Sequence, residues 1–107
     1  VPPFDHPQII AGQGTAGLEI LEQCAAAGAV YVPIGGGGLL SGVATAIKRA
    51  RPEVRVIGVE PEGAPTMKTA IAAGQPVSLP KTASIADGLL TIRAGDLTFA
   101  HAREFAD

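Results

Sequence analysis

The sequence predicts an α/β fold built on a parallel sheet, and three observations carry that expectation. Two short β-branched apolar runs, AVYVPI from Ala29 and VRVIGV from Val54, bracket a helical pattern, LLSGVATAIKRA, from Leu39 to Ala50. Each run is too brief for a helix and apolar on both faces, as a strand buried in a parallel sheet requires. Strand, helix and strand within roughly 30 residues form a βαβ unit, whose crossover is right-handed in nearly all proteins.

The chain opens with VPPFDHPQ, a Pro-rich stretch. GTAGLEILEQCAAAG follows and places Leu18, Leu21 and Ala25 on one helical face, with Ile20, Cys24 and Ala27 beside them. Thr15 is the expected N-cap and Gly28 the stop. Cys24, the single cysteine, falls on this apolar face and reads as a small core residue in a reducing compartment, which places the protein in the cytoplasm. The first strand and a run of glycines come next. The second helix shows Leu40, Val43, Ala44 and Ile47 at helical spacing, ends in Lys48 and Arg49, and is stopped by Arg51-Pro52.

Beyond the second strand, EPEGAP leads to a helix from Thr66 to Ala73, with Pro65 in its first turn and Gly74 at its end. Pro76 and Pro80 break any helix in the segment that follows, where Leu89 to Ile92 is long enough for one short strand. A last helix is expected from Leu97 to Phe105, with Asp96 as N-cap. No internal repeat or linker divides the 107 residues, so they read as a single unit. Aromatic residues make up only 4% of them, so the core must be built from Ala, Val, Ile and Leu.

A net charge of −2, with no basic cluster beyond Lys48, Arg49 and Arg51, argues against nucleic acid or a membrane surface as partner. No apolar run approaches the roughly 18 residues that span a bilayer. The first residue is Val, and we expect the chain to be an internal segment of a longer product.

The chemistry concentrates in VPIGGGGLLSG. Each ordered glycine costs about 0.5–1 kcal/mol relative to Ala, so Gly35 to Gly38 sacrifice about 2–4 kcal/mol where one glycine would make the turn. Close approach to a ligand explains the surplus. Without Cβ atoms, successive N–H groups can face one point, and the positive end of the following helix adds to the same focus; a phosphate is the matching ligand.

Three phosphate sites compete. An ATP-type loop needs a Lys after its glycines, and none follows here. A dinucleotide site gains support from Glu60, about 24 residues after the first glycines, near where an acid would hold a ribose. Its glycine spacing fails, however, because Ser41 takes the third position. GQGTAG does match G-x-G-x-x-G at Gly12, Gly14 and Gly17, but the strand before it is meagre and no acid lies between Glu22 and Glu53. Pyridoxal phosphate needs a phosphate cup and neither of the other features.

At this point the sequence resembles a family. PFDHPQIIAGQGTAGLEIL, VPIGGGGLLSG, VIGVEPEGAPTM and ADGLL resemble, in order and spacing, successive segments of the serine/threonine dehydratases and serine racemases of pyridoxal-phosphate fold type II. The resemblance covers essentially the whole chain. It implies a parallel-sheet βαβ three-layer fragment of the large, cofactor-binding domain, with residues 1–107 lacking the N-terminal segment that carries the Schiff-base Lys and a C-terminal part. It also implies that the amides of Gly35, Gly36, Gly37, Gly38 and Leu39 hold the cofactor phosphate, that Gly88 passes beside the cofactor ring, and that Asp87 is structural.

Glu60 and the carbonyl of Ala64 match two ligands of a divalent cation found in some members. Thr66 replaces the second acid, so a structural or capping role is the default for Glu60. Gln13 and Thr15 would stand near the cleft without touching the reaction, and Ser41 would carry a solvated or helix-bonding hydroxyl. His6 and His101 read as surface or packing residues. Lys48, Lys68 and Lys81 fall on no segment that the family uses for its Schiff base, so no catalytic residue is expected in this chain.

The implied activity of the complete enzyme is loss of a Cα proton and of a β-hydroxyl from threonine or serine, giving a 2-oxo acid and ammonia. The isolated chain should be inert. The alternatives are a serine racemase, a non-catalytic fragment that pairs with its own copy, and a dinucleotide-binding βαβ unit. Open sheet edges favour a homo-oligomer.

Overall fold

The computed structural model describes residues 3–107. Its elements, in chain order, are α1 (Pro7–Gln23), β1 (Ala29–Pro33), α2 (Gly38–Ala50), β2 (Arg55–Val59), α3 (Thr66–Ala73), a 3-10 turn (Asp87–Leu89) and α4 (Asp96–Phe105). β1 and β2 pair in parallel, Ala29 opposite Arg55 and Pro33 opposite Val59, so the predicted βαβ unit is the centre of the molecule.

The amphipathic face of α2 explains its position. Leu40, Val43, Ala44 and Ile47 are buried in one cluster with Val32 and Val56 of the sheet, Ile34 and Val54 beside the strands, and Phe99 and Ala102 from α4. The helices cover one sheet face only. Tyr31, on the other face, is 68% exposed and Val59 is also exposed, so the expectation of strands buried on both sides fails within this chain.

α1 departs most from expectation. It begins at Pro7, not after Thr15, because His6 is its N-cap: Nδ1 accepts from the Gln8 N–H at 3.1 Å, and Pro7 occupies the first turn, where its missing N–H costs nothing. Thr15 lies inside the helix and donates its hydroxyl to the Gly12 carbonyl at 2.7 Å. Two of the GQGTAG glycines, Gly14 and Gly17, serve packing. A Cβ at Gly17 would stand 3.0 Å from the Val43 carbonyl, and one at Gly42 would stand 2.5 Å from the Gly14 nitrogen. Backbone therefore meets backbone where α1 crosses α2. This contact turns Gly14 and Gly17 inward and leaves Leu18 54% exposed. The helix ends at Gln23, before Gly28, and Cys24 is an exposed C-cap residue instead of a core one.

α3 agrees with expectation at both ends; Pro65 sits one position earlier, at the N-cap, and Gly74 caps the C-terminus with φ +78°. No strand forms at Leu89–Ile92: the 3-10 turn and hydrogen bonds from Leu79 N–H to the Ile92 carbonyl (2.9 Å) and from the Thr82 hydroxyl to the Leu90 carbonyl (2.8 Å) hold an irregular segment. α4 starts at Asp96, so Asp96 is not its cap. Asp5 supplies the cap from the other end of the chain, accepting through Oδ1 from Leu97 N–H at 2.8 Å and Thr98 N–H at 3.3 Å.

Candidate functional site

The glycine loop joins the end of β1 to the start of α2, and its geometry follows from what its backbone lacks. Ile34 N–H, just before it, donates to the Val59 carbonyl at 2.8 Å, and Ser41 N–H, just after, donates to the Gly37 carbonyl at 2.9 Å. Between them, the N–H groups of Gly35, Gly36, Gly37, Gly38, Leu39 and Leu40 donate to no acceptor among the described residues. Gly37 adopts φ +100°, a left-handed conformation open to glycine, and opens the helix as its N-cap. A run of unpaired donors at the positive end of a 13-residue helix is an anion-binding arrangement.

The loop lines a cavity of about 400 Å³ together with Phe4, Gln13, Gly88 and Thr91. The six positions expected at a cofactor, Gly35, Gly36, Gly37, Gly38, Leu39 and Gly88, thus come together in one cavity. The Gly88 carbonyl lies 3.3 Å from where a Gly35 Cβ would stand. Phe4 packs its ring against Gly36, where a Cβ would fall 2.2 Å from ring carbons, so glycine is required there by contact as well as by any ligand.

The cradle fits a phosphate: its donors are backbone N–H groups without acceptors, and the Thr91 hydroxyl at its wall is buried without a partner among the described residues. The described lining contains no acid, base or amine side chain, so it can bind and orient an anion but moves no proton.

The Gly35 and Gly36 carbonyls are held by residues that do not line the cavity. The Gly36 carbonyl accepts from the Thr98 hydroxyl at 2.6 Å and from Gly95 N–H at 3.3 Å, and the Gly35 carbonyl accepts from the Thr66 hydroxyl at 3.4 Å. Ser41, expected to be solvated or to bond within its own helix, is instead fully buried and donates to the Thr98 carbonyl at 2.9 Å. Asp5, Thr66 and Thr98 escaped sequence reasoning, although Asp5 lies in the PFD of the opening segment and Thr98 in the last helix.

Other candidates lie elsewhere. Glu60 caps α3, accepting through Oε1 from Met67 N–H and through Oε2 from Lys68 N–H, each at 2.9 Å, and the Ala64 carbonyl accepts from Thr66 N–H at 2.9 Å. Thr15 lies away from the glycine cavity, in a shallow groove between α1 and α2. His101 Nδ1 bonds the Leu97 carbonyl within its own helix. Lys48 pairs with Asp107, and neither Lys68 nor Lys81 lines the glycine cavity.

The Lys48 ammonium, and then the Val56 N–H, hold the Asp107 carboxyl below its ordinary range. A second cavity of about 420 Å³ lies between α3, α4 and the outer edge of β2, away from the loop amides. It lacks the convergent donors that mark the glycine cavity as the candidate site.

Residues 1–107 match the family described as pyridoxal-phosphate dependent enzyme. The chain is 50% identical over 107 residues to the biosynthetic L-threonine dehydratase IlvA of Escherichia coli K12, with all of the chain aligned to 21% of that protein. Among solved structures, the processed form of threonine deaminase isoform 2 from Solanum lycopersicum superposes with a TM-score of 0.97 at 45% identity, over 100% of this chain and 31% of that one. Maize serine racemase superposes with a TM-score of 0.94 at 44% identity, over 100% and 33%. The chain spans about a fifth of the length of the curated relative. With the family matched from the first residue to the last, the chain belongs to the pyridoxal-phosphate dependent enzymes.

Proposed function

We propose that this chain is the phosphate-anchoring part of the large domain of a hydroxy amino acid dehydratase, which converts threonine or serine to a 2-oxo acid and ammonia. The observation that carries the proposal is the run of acceptor-free N–H groups from Gly35 to Leu39 around one cavity at the start of α2. In this reading those five amides hold the cofactor phosphate and the Gly88 backbone borders the ring. When bound, pyridoxal phosphate supplies an electron sink for the carbanion at Cα. This chain supplies the anchor and the wall, and the groups that move protons lie on other segments of the enzyme.

The relatives named above support the dehydratase reading, because a threonine dehydratase and a threonine deaminase both align over the whole chain. Maize serine racemase supports racemisation as the second reading. Glu60 and Ala64 are assigned to the start of α3 instead of to a cation, since their oxygens already accept its N–H groups. We extend the proposal to a homo-oligomer in the cytoplasm, with no nucleic-acid or membrane partner. The exposed free Cys24 suits a reducing compartment. No helix among the described residues is long and apolar enough to cross a membrane.

The test is turnover by the full-length protein with pyridoxal phosphate. 2-Oxo acid release from L-threonine or L-serine is expected; D-serine as the sole product would replace the dehydratase with the racemase, and ribose bonded to Glu60 after soaking with NAD would refute both.

A further inference from the structure

The unpaired amides describe what the loop presents, but a run of four glycines is the least rigid way to present it. Something other than the glycines must set the direction of each N–H. In a trans peptide the carbonyl of one residue and the N–H of the next point in opposite directions. Fixing the carbonyl therefore aims the following N–H.

The Gly36 carbonyl is held by the Thr98 hydroxyl at 2.6 Å, the shortest side-chain bond to the loop, and by Gly95 N–H at 3.3 Å. Thr98 is itself fixed on three sides. Asp5 accepts from its N–H at 3.3 Å, Ser41 donates to its carbonyl at 2.9 Å, and the residue is fully buried. Its Cβ and Oγ1 both lie 2.9 Å from where a Gly37 Cβ would stand, so it also backs the one left-handed residue of the loop.

We propose that Thr98 is a positioning residue for the phosphate anchor: by holding the Gly36 carbonyl in the core it turns the Gly37 N–H toward the cavity, and Asp5 and Ser41 hold Thr98 in place. This rests on the phosphate reading given above and adds to it the element that keeps the loop preorganised. Thr66 acts in the same sense on the Gly36 N–H through the Gly35 carbonyl, over a longer bond of 3.4 Å. The glycine loop, α4 and the opening PFD segment thereby become one device. Phosphate affinity then depends on a hydroxyl that touches no ligand.

The experiment compares dissociation constants of pyridoxal phosphate and of pyridoxal, which lacks the phosphate, in the full-length apoprotein. The ratio of the pyridoxal constant to the pyridoxal phosphate constant isolates the anchor, and 31P NMR of the bound phosphate provides a readout independent of activity. Thr98→Val should lower the ratio about tenfold, the upper end of the range for one lost neutral hydrogen bond, and shift the 31P signal, while pyridoxal affinity stays the same. Thr98→Ser should restore both.

Ser41→Ala, which leaves the Thr98 hydroxyl and frees its carbonyl, should lower the ratio about threefold and serves where Thr98→Val does not fold. A wild-type protein that binds pyridoxal and pyridoxal phosphate equally overturns the phosphate anchor itself. A wild-type ratio well above one that neither variant changes overturns the positioning role alone.

Discussion

Replacing Gly42 by Ala is the sharpest test of how α1 and α2 are held together. In an isolated helix the change would stabilise by about 1 kcal/mol, because Ala is the better helix former. Here the added Cβ would stand 2.4 Å from the Ile10 carbonyl and 2.5 Å from the Gly14 nitrogen, both backbone atoms that cannot rotate away. Contacts of this kind require about 3.4 Å or more, so the helices must separate by about 1 Å and loosen the contacts at Gly14 and Gly17 as well. Overpacking of this sort costs about 1–3 kcal/mol, and backbone overlap belongs at the upper end, which leaves a net loss of about 2 kcal/mol after the gain in propensity.

Gly12→Ala is the matched control. Gly12 is an exposed α1 residue whose added Cβ would meet nothing within 4 Å, so the same change there should stabilise by about 0.5–1 kcal/mol. Urea unfolding followed by circular dichroism reads both. A Gly42→Ala protein as stable as the parent, or a Gly12→Ala protein destabilised alongside it, would refute backbone contact as the reason for glycine in this interface.

Asp5→Ala should remove the cap of α4 and cost about 1 kcal/mol in the same unfolding assay, whereas Asp5→Asn, which keeps an acceptor oxygen, should retain most of it. Gly36→Ala drives a Cβ into the Phe4 ring and should weaken pyridoxal phosphate binding by at least about tenfold, read by fluorescence titration, with a smaller effect on pyridoxal.

The Asp107 carboxyl, lowered first by Lys48 and then by the Val56 N–H, contributes stability that is complete above the unfolded aspartate value of about 3.9 and is lost as pH falls through the depressed folded value. Asp107→Asn should therefore flatten the acid limb of the stability profile below about pH 4, and an unchanged limb would remove Asp107 from the account.

The parts legible in the sequence are those specified by neighbours in the chain. β1, α2 and β2 appeared because their periodicities and stop signals are local, and the glycine loop because its conformational cost stands out against a single turn. α1 was misplaced because Gly12, Gly14 and Gly17 carry the composition of a turn; Gly14 and Gly17 are glycine because the backbones of Gly42 and Val43 on another helix approach them, and spacing within one segment does not reveal it.

The cap of α4 was assigned to Asp96 for the same reason. The residue that does the work, Asp5, is 92 positions away from the Leu97 amide it accepts from. Leu89 to Ile92 read as a strand because three of its four residues are apolar, yet Ile92 is exposed and the segment has no strand beside it among the described residues. In the site, the amides were legible and the carbonyl partners Thr66 and Thr98 were not, since a threonine that bonds a distant backbone looks like any other.

A structure of the full-length protein with pyridoxal phosphate bound tests the central claim most directly. The account predicts phosphate oxygens within about 2.7–3.2 Å of several N–H groups between Gly35 and Leu39, with the Gly36 carbonyl still on the Thr98 hydroxyl. A phosphate seated anywhere else, with those amides bonded only to water, would contradict it.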